Sequence, residues 1–340
     1  MDSPLISVIV TNYNGKDYAA RCIQSVLASV YPNLEIILVD NASIDGSLQI
    51  IEARFGSDAR LTIIKNKTDL DFVGANNIGL RRAKGKYVVL LNNDTEVDKN
   101  WLEEIVKTFE LDSKVGIVQA KLLTLKDKTK FDTCGHYMSI FGLPYEVGVA
   151  ESDVGQYDYM RYIFGARGAA MAIKRSVLDK IGLLDEDFIV YGEDTDLCWR
   201  CWLSGFRVAM NPKARVYHMG AGTLNTSSFY RIFYHGTKNN IRSLIKNLSL
   251  ANLLWMLPLN IAFRLGITLF FILKARFLDA RWMCKGVMWN VIHVRQNMKD
   301  RFEVQHHIRQ VSDASIFPFM FGNLHFSLLL KKGLSWIRRI

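Results

Sequence analysis

Isolated acids and amides stand where apolar runs stop: ILVD ends at Asp40, VVLLNND ends at Asp94, YGEDTD carries Glu193 and Asp194, and VYH ends at His218. In an open α/β sheet, ligands bind beyond the carboxyl ends of the strands, so polar residues placed there converge while the apolar runs stay buried. The pattern points to an enzyme for a charged, phosphate-containing substrate.

Asp40, followed by Asn41-Ala42-Ser43, offers a carboxylate to a ribose hydroxyl or a base N–H, or else caps the turn that follows. Thr11–Asn14 at the neighbouring strand end favours the nucleotide. Asn76 and Asn77 lie in GANNIGLRRAKG, where a Gly-flanked helix start suits recognition of a base or phosphate, although helix capping explains them nearly as well. Asp94, with Asn92 and Asn93 before it, has the oxygen chemistry a hard divalent cation needs against a diphosphate, since such ions bind through one or two carboxylates plus substrate phosphates. The same three residues are also turn-forming.

Glu193, Asp194 and Asp196 open a helix whose dipole stabilises acids at its start. Three acids within four residues exceed what capping needs, which leaves one free to act as general base toward an acceptor hydroxyl. His218 is a lone histidine and by type alone suits a core position better than a metal site. Cys198 and Cys201 form a CxxC inside a helical stretch with no second pair, so packing is expected of them. Neither a phosphate-loop motif nor a GxGxxG fingerprint occurs, which removes the usual signatures of nucleotide hydrolysis and nicotinamide chemistry.

The elements that must position these residues alternate. Strand-like runs at 5–11, 35–39, 61–65 and 87–91 are separated by helical spacings at 16–30, through about 55, at 74–84 and at 98–110. Such alternation predicts right-handed crossovers and a mainly parallel sheet. The 120–165 region is irregular and is expected to be an acceptor-side insertion. Beyond it come a strand at 168–173, a helix to Ile181, the helix begun by GEDTD, and two short strands at 207–210 and 215–218.

Past about residue 225 the chain changes character. Residues 1–225 hold 26 Lys/Arg and 29 Asp/Glu, whereas residues 226–340 hold 17 and 4, so the overall charge of +10 resides in the second part. Basic residues interleaved with Leu, Ile, Phe and Trp suit an anionic membrane surface and argue against nucleic acid as partner. Within this part, residues 253–273 are long enough to cross a bilayer, but Pro258 and the stripe Asn260, Arg264, Thr268 favour a helix lying in the interface. A spanning segment and a cover for the catalytic domain remain open. Five cysteines at irregular spacing and a start without a basic, cleavable leader predict a reducing, cytoplasmic setting.

Taken together, SVIVTNYNG, ILVDNASIDGS, VGANNIGLRRAKGKYVVLLNNDTEV, RGAAMAIKR and FIVYGEDTDLCWRCWLSGFRV followed by VYHMG resemble, in that order, a family 2 glycosyltransferase of the GT-A fold. The likeness is to the branch that includes many bacterial rhamnosyltransferases of surface-polysaccharide synthesis, and it covers about residues 5–222. It implies an α/β catalytic domain at 1–225 with a basic, helical, membrane-associating region at 226–340. Thr11, Tyr13, Asp40, Asn76, Asn77, Asn93 and Arg167 would bind the nucleotide-sugar. Asp94, at the last position of the family's DXD motif, would hold Mg2+ or Mn2+ with help from His218, although amides replace its other carboxylates. Asp194 would be the base and Glu193 would position sugar or acceptor.

The expected activity is inverting, metal-assisted transfer, with dTDP-rhamnose as first donor. The expected acceptor is a lipid-linked oligosaccharide or polysaccharide at the cytoplasmic face of the inner membrane. The alternatives are a nucleotidyltransferase and a non-catalytic nucleotide-sugar-binding scaffold.

Overall fold

The β-branched, almost continuously apolar run Ile6–Asn12 forms β1, near the middle of a sheet covered on both faces. Its side chains alternate: Val8 and Val10 enter the core on one face and Ile9 the core on the other. The computed structural model describes residues 3–158, 162–220 and 229–321.

After β1 come α1 (Ala19–Leu27), β2 (Leu34–Asp40), α2 (Ser47–Phe55), β3 (Leu61–Lys65), α3 (Asp71–Arg82), β4 (Tyr87–Asn92) and β5 (Thr95–Val97). Next are α4 (Trp101–Leu111), β6 (Val115–Thr124), β7 (Phe131–Thr133), β8 (His136–Met138), β9 (Pro144–Glu146), β10 (Ala170–Lys174), α5 (Arg175–Ile181), α6 (Glu193–Leu203) and β11 (Arg207–His218). The main sheet has the order β3-β2-β1-β4-β10-β6-β11-β5, with β7 added beside β6. Strands β1 to β4 are parallel, and β10 runs antiparallel between β4 and β6. Register pairs Asn12 with Asp40 and Thr11 with Asn92, so the carboxyl ends of β1, β2 and β4 share one edge.

Two expectations change. The short strands at 207–210 and 215–218 are one strand, β11, whose register shifts between Asn211 and Arg215. The 120–165 region is not an unstructured loop. It begins inside β6 and continues through β7 and the β8–β9 hairpin. Lys121 disguises β6, because a lysine in a buried strand reads as a break. It is fully buried and answered by Asp153 at 2.6 Å and Asp158 at 2.9 Å.

The C-terminal part is helical as expected: α7 (Phe229–Asn247), α8 (Leu250–Leu273), α9 (Phe277–Ile292), α10 (Val294–Glu303) and α11 (Asp313–Met320). The expected boundary at 225/226 and residues 322–340 lie outside the described residues. Leu244, Leu248 and Met256 belong to the same core as Ile9, Leu90 and Trp199, so these helices are not a separately cored module. Ion pairs reinforce the join. Arg242 meets Asp185, Asp187 and Asp300, while Lys246 meets Asp185 and the fully buried Asp196. Burial opposes ionisation of Asp185, yet Lys246 and Arg242 hold it well below the usual carboxylate range.

α8 runs through Pro258 without a break. Its polar stripe faces the protein: Asn260, Arg264 and Thr268 are buried, with Arg264 donating to Asn240 Oδ1 at 2.7 Å and Thr237 Oγ1 at 2.8 Å on α7. The stripe that suggests an interfacial helix is therefore the side of α8 that meets α7. A polar side chain must find partners, and α7 supplies them.

Candidate active site

Asn12 knots the sheet edge. Its Nδ2 lies 2.8 Å from Asp40 Oδ1 and 2.9 Å from Ser47 Oγ, while its Oδ1 accepts from Asn93 Nδ2 at 2.9 Å. Gly15 is required beside this knot, because a Cβ there would stand 2.4 Å from Asn12 Oδ1 and 2.6 Å from Asn93 Nδ2. Asp40 is also fixed by the Ser43 N–H at 3.1 Å. The edge is thus rigid, with Thr11 half-buried and the Tyr13 ring 45% exposed at its mouth.

Beyond β4, Asp94 Oδ1 lies 3.1 Å from His218 Nε2, and His218 Nδ1 lies 2.9 Å from Asp132 Oδ2. Burial alone would lower the histidine's pKa, but hydrogen bonds to Asp132 and Asp94 raise it to about 9. Arg167 then joins the chain, 3.4 Å from Asp132 and 3.1 Å from Glu146 on β9. Burial works against the Arg167 charge, and Glu146, Asp132, Asp194 and Asp94 together more than offset it. Two carboxylates from separate strands therefore pair with one guanidinium, and the charges of Asp194 and Asp94 add to its field.

Asp194 is half-buried at the start of α6, where its Oδ2 accepts the Gly168 N–H at 3.1 Å. Glu193 is buried, with Oε2 left without a partner among the described residues. Burial, reinforced by the Asp194 charge, lifts Glu193 to about 8, so it is a neutral acid at pH 7. The third acid of the segment is not available for chemistry. Asp196 is spent on Arg200 Nε at 2.9 Å and Asn247 Nδ2 at 2.9 Å.

The loop leading to this acid pair is strained, with Ile189 and Tyr191 both at positive φ. Asn239 on α7 holds it, its Nδ2 lying 2.9, 2.8 and 2.6 Å from the carbonyls of Phe188, Val190 and Tyr191. The C-terminal helices thus shape the approach to Asp194.

Several predicted residues do other work. Asn77 is fully buried, donating to the Leu184 carbonyl at 2.9 Å and accepting from the Leu184 N–H at 3.2 Å. It ties α3 to the segment before α6. Asn76, also buried, donates to the Phe72 carbonyl one turn earlier. Asn93 points its amide back into the strand knot. Cys198 and Cys201 are buried and unpaired, as packing requires.

Residues absent from the sequence reading also enter the site. Asp132, Glu146 and His136 all come from the 120–165 region, and His136 Nε2 lies 3.0 Å from Thr195 Oγ1, next to Asp194. Their only signal is a polar type inside a stretch without clear periodicity.

A divalent cation fits between Asp94 and His218. Two neighbouring ligands of an octahedral ion with bonds of about 2.1 Å stand about 3 Å apart, which is the observed spacing. Asp132 on Nδ1 orients the ring, as in the carboxylate–histidine pairs around metals, and an ion there would displace the proton that Nε2 shares with Asp94. Among the described residues no group of three or more His, Cys, Asp or Glu forms a metal cage, so further ligands must come from substrate oxygens and water.

This sheet, with the antiparallel strand β10 inserted beside β4, has the GT-A fold. The chain belongs to glycosyl transferase family 2, whose family model matches residues 7–182. An uncharacterized glycosyltransferase of Haemophilus influenzae is 34% identical over 145 residues, 43% of this chain and 42% of that protein. The UDP-Glc:alpha-D-GlcNAc-diphosphoundecaprenol beta-1,3-glucosyltransferase WfaP of Escherichia coli is 38% identical over 90 residues, 26% of this chain and 35% of its own length. The chain therefore spans less than half of each of these relatives. Among solved structures, the mannosyltransferase PcManGT of Pyrobaculum calidifontis, in complex with GDP-Man and Mn2+, superposes with a TM-score of 0.56 at 20% identity, covering 88% of each chain.

Proposed function

We propose that this chain moves a sugar, with inversion, from a nucleoside-diphosphate donor to an acceptor hydroxyl, with Asp194 as general base. The observation that carries this reading is the chain Asp94–His218–Asp132–Arg167–Glu146, with Asp194 anchored to the Gly168 N–H beside Arg167. It sets basic and acidic groups beside the strand edge where the nucleotide would bind.

Thr11, Tyr13 and Asp40 flank the base and ribose at the sheet edge. Arg167 offers its planar donors to the diphosphate or the sugar. Asp94 and His218 would hold Mg2+ or Mn2+, which supplies charge neutralisation at the leaving diphosphate. PcManGT was solved with Mn2+, in keeping with that choice.

Asp194, oriented by the Gly168 N–H, takes the proton of the acceptor hydroxyl. The acceptor oxygen bonds to the anomeric carbon as the bond to the diphosphate breaks on the opposite face. Neutral Glu193 retains an O–H and donates it to a sugar or acceptor oxygen, which holds that oxygen in line. No enzyme nucleophile takes part.

The donor proposed is a dTDP-sugar such as dTDP-rhamnose, and the acceptor is a lipid-linked saccharide of surface-polysaccharide assembly at the cytoplasmic membrane face. WfaP, by its name, acts on a diphosphoundecaprenol-linked sugar. The test is release of nucleoside diphosphate from UDP-, dTDP- and GDP-sugars by wild type and Asp194→Asn. The variant should lose about 10²- to 10⁴-fold in turnover and keep its donor affinity. Unchanged turnover would remove Asp194 as the base.

A further inference from the structure

The outer surface of α8 is inside out for a protein in water. From Leu253 to Leu273 every residue classed as exposed is apolar or glycine, whereas Asn260, Arg264 and Thr268 are all buried. Leu254, Leu265 and Leu273 are 69%, 58% and 77% exposed. The neighbouring helices continue this surface with Phe277 and Ile292. Contiguous exposed apolar area on this scale marks a surface made to be covered.

We infer that the α8–α9–α10 surface seats the protein on an anionic bilayer, with α8 lying in the headgroup–acyl boundary and not crossing it. Three observations support that occupant and that depth. First, the exposed charges of α9, α10 and the turn after α8 are basic except for Glu303 at the end of α10: Lys274, Arg281, Lys285, Arg295 and Lys299. They complement anionic lipid, where each basic residue near the surface adds to binding. In a two-fold dimer built on this face the same cations would be brought together.

Second, the inner side of α8 is committed along its length. Asn260, at the middle of the helix, donates to the Phe141 carbonyl at 2.7 Å, and Phe141 stacks on Phe263 with ring centroids 4.9 Å apart. Lipid cannot surround a helix held this way by the catalytic domain. Although α8 has the length and composition to span a bilayer, its buried Arg264 is satisfied by α7 and needs no aqueous headgroup.

Third, the contact on α8 is the tip of the β8–β9 hairpin, and Asn240 on α7 also donates to Gly142 there at 2.6 Å. The base of the same hairpin carries His136 and Glu146 to Thr195 and Arg167. One short hairpin, about 15 Å long at the usual strand rise, therefore links the membrane seat to the acid cluster. This places the acceptor side of the site toward the bilayer, which rests on the transferase reading. The seat itself does not.

The test uses the full chain and sedimentation with vesicles of phosphatidylcholine alone or mixed with phosphatidylglycerol, at low and high salt. Wild type should bind the anionic vesicles more tightly, with salt weakening the electrostatic part. Leu265→Asp/Leu269→Asp, which alters only exposed positions, should bind at least about tenfold more weakly with an unchanged melting temperature and unchanged release of nucleoside diphosphate from a soluble donor. Lys285→Glu/Lys299→Glu should lose the preference for anionic lipid. Wild-type binding by the leucine pair would overturn the seat. So would a wild-type dimer, seen by light scattering, that binds no vesicles and that the leucine pair converts to monomer. A catalytically dead protein that still binds vesicles would separate failure of the transferase reading from failure of this one.

Discussion

The sheet edge and α8 solve the same problem with opposite orientations. At the edge, apolar runs are buried and the polar residues that end them gather at a crevice. On α8 the polar residues are buried and the apolar ones look outward. Both arrangements satisfy their hydrogen bonds, through the Asn12 knot in one case and through Asn240 and Thr237 in the other. On the two proposals, the difference lies in what each region would meet: a polar ligand at the edge, an apolar phase at the helix.

That contrast can be broken most directly at Arg264. Replacing it with Leu makes α8 more apolar, which would favour a helix that simply dissolves in lipid. Here it should destabilise the fold by about 3 kcal/mol, because Asn240, Asn260 and Thr237 lose a buried charged donor. Urea unfolding measures this, and an unchanged midpoint would mean the stripe does not face the protein.

Asn239 holds the loop before Asp194 while its neighbour Asn240 holds α8, so Asn239→Ala sharpens the comparison. Three buried carbonyls lose their common donor, which should cost about 2 kcal/mol in stability. Because those carbonyls shape the loop before Asp194, turnover should also fall while the donor dissociation constant holds. Loss of stability with normal turnover in the folded fraction would confine Asn239 to a packing role.

A smaller effect is expected at Glu193. Its folded pKa, about 8, lies above the ordinary 4.5. The folded state therefore keeps a proton that the unfolded chain releases. Stability from this group is complete below about pH 4.5 and is lost as pH rises to about 8. Glu193→Gln stays neutral throughout and should flatten the fall of melting temperature across that window. An identical slope in both proteins would place the titration elsewhere.

Much of the catalytic half is legible in the sequence because buried parallel strands read as unbroken β-branched runs and their polar ends stand out. Asp40, Asp94, Asp194 and His218 all lie at or beside element ends, where a change of residue type marks them. Asp132, Glu146 and His136 do not, since they sit in three-residue antiparallel strands whose periodicity is too brief to show. Asn77 is ambiguous for a different reason: an amide near a helix start looks the same whether it meets a ligand or, as the structure has it, the Leu184 backbone. On α8 the four-residue spacing reveals a stripe, but spacing alone does not say which side is wet. Only the partners on α7, some 20 to 30 residues away in the chain, fix that direction.

The central claim is that the crevice takes a nucleoside diphosphate held through a cation at Asp94 and His218. Calorimetric titration of UDP, dTDP and GDP into wild type and Asp94→Ala, each with Mn2+ and with chelator, tests it. Tight binding of one nucleotide to wild type, dependent on Mn2+ and lost in Asp94→Ala, is the predicted result. Equal binding to both proteins regardless of metal, or no binding of any of the three, would contradict it.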